Sequence, residues 1–168
     1  MKELVPSPTA SEPKRSKQPN SLYCFVCGLE NPVGLRLAFY DVAEGEVTCE
    51  VALPDRYQGY PGVVHGGIVA SMLDEVAGRA AMQGDTSRFM MTAKMDIRYR
   101  KPIPIGQPLR LVGRQEKRRG RLTTVRGEIW LSDGSLGAEA EALLSDIPDT
   151  FDGAADLERL GWRVYPDG

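Results

Sequence analysis

The sequence predicts an α+β protein in which a curved antiparallel sheet wraps around one long central helix. Three observations carry this. Ile68, Met72, Val76 and Ala80 recur every four residues, with Val69, Leu73, Ala77 and Ala81 beside them. That stripe covers most of the circumference, so the helix is expected to be buried nearly all round. The segments flanking it alternate as strands in the order β-β-α-β-β-β-β, whereas a doubly wound sheet would need a helix between most strands. A lone helix among many strands buries its surface only if the sheet curls about it.

Taken in order, residues 1–21, with Pro6, Pro8, Pro13 and Pro19 and a scatter of Ser and Lys, read as a flexible leader. Residues 22–147 form the predicted domain, and 148–168 a C-terminal tail with a short helix over 152–160. Cys24-Phe25-Val26-Cys27-Gly28 opens the domain. A Cys-x-x-Cys-Gly knuckle is half a zinc site, but Cys49 falls in a predicted strand and His65 in the loop before the helix. The pair reads as a turn with small, partly buried thiols, and no metal is assigned; a metal shared between subunits and a redox pair are the weaker alternatives. Residues 35–40 and 46–53 alternate as two strands joined across Ala43-Glu44-Gly45. Gly84 and Asp85 end the helix, and 88–100 read as a long strand closed by Pro102 and Pro104. Residues 109–117 and 122–131 form a hairpin, and 136–144 the last strand.

Composition bounds the function. At 168 residues the chain is one domain with a substantial core. A net charge of −2 argues against nucleic acid as a partner. No apolar run reaches the length of a membrane span, and the polar N-terminus lacks a signal peptide's hydrophobic region. Three cysteines, an odd number, do not make a disulfide framework. The expectation is a soluble, cytoplasmic protein without a cofactor.

Chemistry concentrates in residues 59–81. Gly59, Pro61, Gly62, Gly66 and Gly67 make a loop that enters the helix through bare backbone. The first N–H groups of a helix lack internal partners and stand at the positive end of its dipole, so they suit a phosphate or the oxyanion of a carbonyl under attack. His65, the single histidine, stands at that mouth. Asp74 lies seven residues after Gly67, which at about 100° per residue returns it to the same face two turns on. Each feature alone also has a plain reading: a tight turn, a loop histidine, a solvated acidic strip.

His65-Gly66-Gly67, followed by an acid nine positions after the His, resembles the signature of the hotdog-fold acyl-CoA thioesterases, in particular the phenylacetate-pathway-like and THEM-like groups. The resemblance runs from about Cys24 to Ser145. It implies that Gly67 supplies a backbone N–H to the thioester oxygen, that His65 orients the loop or the thioester, and that Asp74 is general base or nucleophile. Thr92 matches the position where relatives carry a hydroxyl that helps hold the water, with an ordinary strand threonine as the alternative. Some relatives have Asn or Gln six residues before the His; here Gly59 stands there, as in the THEM-like group, with Gln58 one residue off register. Glu75 competes with Asp74, but one step turns it about 100° round the helix.

Gly66, Gln58 and Gly59 are therefore expected at the substrate, with Arg100 and Lys101 at the rim for the phosphates of coenzyme A. Gly78, Met72 and Met82 are expected along the acyl group. Gly67 and Asp74 of one helix lie about 10.5 Å apart along its axis, too far to serve one carbonyl. Composite sites between two subunits would solve this, and the family resemblance implies dimers that pair into tetramers. The leading reading is an acyl-CoA thioesterase. A non-catalytic acyl-CoA or fatty-acyl binding protein is the alternative, and a hydratase ranks below both.

Overall fold

The computed structural model describes residues 15–148 and 156–167. Seven strands form one antiparallel sheet: β1 (Ser16–Lys17), β2 (Tyr40–Ala43), β3 (Glu46–Val51), β4 (Met90–Tyr99), β5 (Leu109–Arg119), β6 (Leu122–Trp130) and β7 (Leu136–Asp146). Their spatial order is β1-β2-β3-β5-β6-β7-β4. Helix α1 (Gly66–Ala81) packs against β3 through β7, and a second helix, α2 (Leu157–Leu160), lies in the tail. This is the hotdog architecture. No helix among the described residues is long and apolar enough to cross a membrane.

The periodicity of α1 becomes its packing. Val69, Met72, Leu73, Val76, Ala77, Ala80 and Ala81 are buried, facing Leu111, Val125, Ile129, Ala140 and Leu144 of the concave face within one cluster. Helix and sheet come close enough that two strand positions exclude a side chain. A Cβ on Gly113 would stand 2.4 Å from the Val76 carbonyl oxygen, and one on Gly127 would stand 3.2 Å from Val76 Cγ1. One strip of α1 is left uncovered, and Gly66, Gly67 and Asp74 lie on it.

Four expectations change. Of residues 35–40 only Tyr40 is in a strand. Leu35, Leu37 and Phe39 do alternate inward, but their backbone pairs with a loop: Leu35 N–H donates to Phe25 O at 2.8 Å and Leu37 N–H to Val26 O at 2.8 Å. The leader also ends earlier than expected. Ser16 and Lys17 pair with Asp41 and Tyr40, while Gln18, Asn20 and Ser21 are buried. Buried amides account for this: Asn20 Nδ2 donates to the carbonyls of Cys27 at 2.8 Å and Leu37 at 2.9 Å. Residues 1–14 lie outside the described residues. Helix α1 starts at Gly66 and stops at Ala81, before Gly84. The expected tail helix shrinks to α2, with 152–155 outside the described residues.

Candidate active site

The start of α1 is built by a loop that folds back on itself. His65 N–H donates to Tyr57 O at 2.9 Å, and Gly59 N–H donates to Val63 O at 2.9 Å. Gly59 therefore sits beneath His65. A Cβ there would meet His65 Cα at 3.2 Å and Cδ2 at 3.3 Å, so a side chain at this position would crowd the histidine. Gln58 is occupied elsewhere, its Oε1 accepting from Gly62 N–H at 3.2 Å within the exposed loop.

His65 is the N-cap of α1, and its Nδ1 accepts from Gly67 N–H at 2.9 Å. The expected donor to a thioester oxygen is thus already engaged. A neutral imidazole that accepts at Nδ1 carries its proton at Nε2, so the exposed ring presents an N–H outward. Gly66 N–H has no acceptor among the described residues. Two residues that the sequence did not single out brace this turn. Tyr99 Oη donates to Gly66 O at 3.0 Å, and Ser71 Oγ donates to Gly67 O at 2.8 Å. Spacing hinted at Ser71, four residues after Gly67; Tyr99, from a distant strand, gave no local signal.

Two turns along, Thr92 of β4 donates its hydroxyl to Asp74 Oδ1 at 2.5 Å. Strand and helix thus assemble a carboxylate and a hydroxyl that are 18 residues apart in sequence. Glu75 turns away from this pair. Its Oε1 accepts from Arg79 Nε at 2.9 Å, and its Oε2 lies 3.8 Å from Cys24 Sγ. Burial pushes the Glu75 carboxyl up to about 7. The Cys27 thiol, by donating to Cys24 Sγ, brings Cys24 down to about 7 and is itself held well above the usual thiol range.

Asp74 and Thr92 open onto a cavity of about 910 Å³. Gly78 and Met82 line it, joined by Phe89, Met90, Leu144 and Trp162. Met72 does not: it is wholly buried in the core, on the opposite side of α1. A Cβ on Gly78 would meet nothing within 4 Å, so this glycine leaves room in the cavity. Trp162 comes from the tail, where its Nε1 donates to Thr86 O at 2.7 Å and its ring stacks tilted on Phe89 at 5.3 Å. The structure does not bring the two expected phosphate-binding residues to the cavity. Arg100 Nε donates to Glu139 at 2.7 Å on the outer face of the sheet, and Lys101 follows it at the surface.

The curled sheet, the single buried helix and the open strip with its His-Gly-Gly start place the chain among the hotdog proteins. The family model of the thioesterase superfamily matches residues 61–138 of the chain. It is 33% identical over 139 residues to the acyl-coenzyme A thioesterase THEM4 of Rattus norvegicus, covering 81% of this chain and 59% of that protein. To the THEM4 of Xenopus laevis it is 34% identical over 106 residues, covering 62% and 47%. A solved thioesterase superfamily protein is 37% identical, with a TM-score of 0.67 over 72% of this chain and 59% of the other. The chain spans about half the length of the curated relatives it matches.

Proposed function

We propose that this protein hydrolyses an acyl-CoA thioester to the free acid and coenzyme A. The observation that carries the reading is the Thr92–Asp74 pair at 2.5 Å on the wall of a largely apolar cavity, on the same helix strip as the His65 cap. An exposed carboxylate tied to a hydroxyl is suited to hold water. The helix start two turns away is suited to receive the oxygen on which charge develops. Relatives named acyl-coenzyme A thioesterases support the substrate class.

Gly66 N–H and the outward N–H of His65 would polarise the thioester carbonyl, with the α1 dipole behind them. Gly67 would fix the ring that supplies one of these donors. Water, deprotonated by Asp74 and positioned by Thr92, would add to the carbonyl carbon, and collapse of the tetrahedral oxyanion would expel the coenzyme A thiolate. Direct attack by the Asp74 carboxylate is the alternative route to the same products. A cavity lined by Phe89, Met82, Met90, Leu144 and Trp162 suits an apolar acyl group.

The two halves of this machinery, Gly66 and Asp74, stand about 12 Å apart along one helix, so we assign each site to two subunits, Asp74 of one facing the helix start of the other. An uncovered edge supports this. Strand β4 runs ten residues along the end of the sheet with Met91 51% and Tyr99 55% exposed. Long exposed edges of this kind invite pairing with a second copy. Pairing of dimers into tetramers belongs to the same proposal. A reducing, cytoplasmic setting fits three cysteines that stand as free thiols.

Thiol release from aromatic, short-chain and long-chain acyl-CoAs, by the native protein and by Asp74→Asn, tests the reaction. Turnover that falls at least about 100-fold in the variant, with binding of acyl-CoA retained, is expected. Binding without release by the native protein would leave an acyl-CoA binding module instead.

A further inference from the structure

The Cys24–Cys27 turn and Glu75 have no part in the hydrolysis derived above, yet they converge on the wall of the same cavity. Cys24 Sγ, Cys27 Sγ and a Glu75 carboxylate oxygen all lie within 4.8 Å of one another, and Cys24 Sγ to Glu75 Oε2 is 3.8 Å. We propose that these three side chains bind a thiophilic divalent cation of the zinc class, with a fourth coordination position open to the cavity.

The local backbone is shaped for this. Cys24 Sγ accepts two backbone N–H groups, from Val26 at 3.3 Å and Cys27 at 3.5 Å, which is how a knuckle steadies a thiolate. The turn closes with Gly28 N–H donating to Cys24 O at 2.9 Å. Only glycine fits there, because a Cβ on Gly28 would come 2.3 Å from that oxygen and 2.6 Å from Cys24 N. A tetrahedral ion bound at the usual zinc–sulfur and zinc–oxygen lengths separates its ligands by about 3.5–3.8 Å, so a small inward shift of three side chains completes the set.

The surrounding groups are matched to three anions. Ser21 Oγ accepts from Cys24 N–H at 3.2 Å and lies 3.5 Å from Cys27 Sγ, to which its own proton is free to turn. Arg79 holds Glu75 through Oε1 alone, leaving Oε2 toward the cysteines. The charges then sum to zero: two thiolates and a carboxylate against a divalent cation and the Arg79 guanidinium. Glu75 is the residue that the sequence could not add to the half-site, because it lies 51 residues away on a helix.

Metal analysis of the full chain purified without chelator decides the matter. The expected result is one zinc ion per chain, released one for one when a mercurial blocks the thiols of the native protein. After chelation, cobalt(II) should restore a thiolate-to-cobalt charge-transfer band, absent in Cys24→Ser and Cys27→Ser and altered in Glu75→Gln. Neither readout depends on thioesterase activity, so failure of the hydrolysis reading leaves this test standing, and the native-protein readouts need no variant to fold. Metal-free chain that binds neither zinc nor cobalt(II) would overturn the proposal, as would a Cys24–Cys27 disulfide forming in air while zinc is present in excess.

Discussion

At the scale of single residues, the site depends on atoms that hold other atoms still. Thr92 is the clearest case. Its hydroxyl fixes one oxygen of Asp74, so Thr92→Val should lower kcat about 10- to 100-fold with little change in KM, and Thr92→Ser should recover most of it. His65 carries two loads at once, capping α1 and presenting an N–H. His65→Ala should cost about 1 kcal/mol of stability through the lost cap, measured by urea unfolding, and reduce turnover further than that loss explains. Gly78 faces open space, so Gly78→Val should fold normally and narrow the cavity. Turnover of bulky acyl groups should fall while short ones are spared, as a chain-length series of acyl-CoAs would show.

At the scale of elements, the sheet holds the helix at a distance set by glycines. Gly113→Ala would force Val76 and the strand apart and should lower stability by about 1–3 kcal/mol without touching the cavity. The outer face of the sheet is tied by ion pairs: Arg114 bridges Glu46 and Glu128, and Arg100 and Arg126 share Glu139. Hydrogen bonding from Arg100 holds the Glu139 carboxyl below its ordinary value. A carboxyl depressed in the folded state stabilises the fold above its unfolded value of about 4.3 and loses that contribution as pH falls through the folded one. Thermal unfolding below about pH 4 should therefore show a loss of stability that is smaller in Glu139→Gln.

Elements were legible in the sequence to the degree that they announce themselves locally. The stripe through Ile68, Met72, Val76 and Ala80 gave α1, and the Gly-rich entry with His65 and Asp74 gave the helix strip. Residues 35–40 misled because alternation reports which side chains go inward, not what the backbone pairs with. The turn at Cys24 and the tail with Trp162 reached the cavity through tertiary contacts that no spacing encodes. Arg100 looked free as a basic residue at a strand end, and only its neighbour across the sheet, Glu139, shows that it is not.

At the scale of the molecule, β4 is both a wall of the site and the free margin of the sheet. Its Met91 and Tyr99 are exposed, and Tyr99 also braces Gly66 from within its own chain. On the proposed two-subunit site, Met91→Lys should leave monomers where the native protein gives dimers by light scattering, and abolish turnover with them, because separated subunits would each hold half of the machinery. Tyr99→Phe should leave assembly intact and lower turnover alone.

The cavity wall is gathered from stretches that the chain otherwise keeps far apart: Tyr23 and Cys24 near its beginning, Asp156, Arg159 and Trp162 near its end, and α1 between them. The two outer stretches already touch through the Asn20–Arg163 bridge. On the proposed function, an acyl group lodged there would act as a keystone, loading three arms of the fold against one another and releasing them when the product leaves. Each catalytic cycle would then clasp and unclasp the outer stretches, and amide exchange at 20–24 and 160–163 should slow more on ligand binding than anywhere along the central strands.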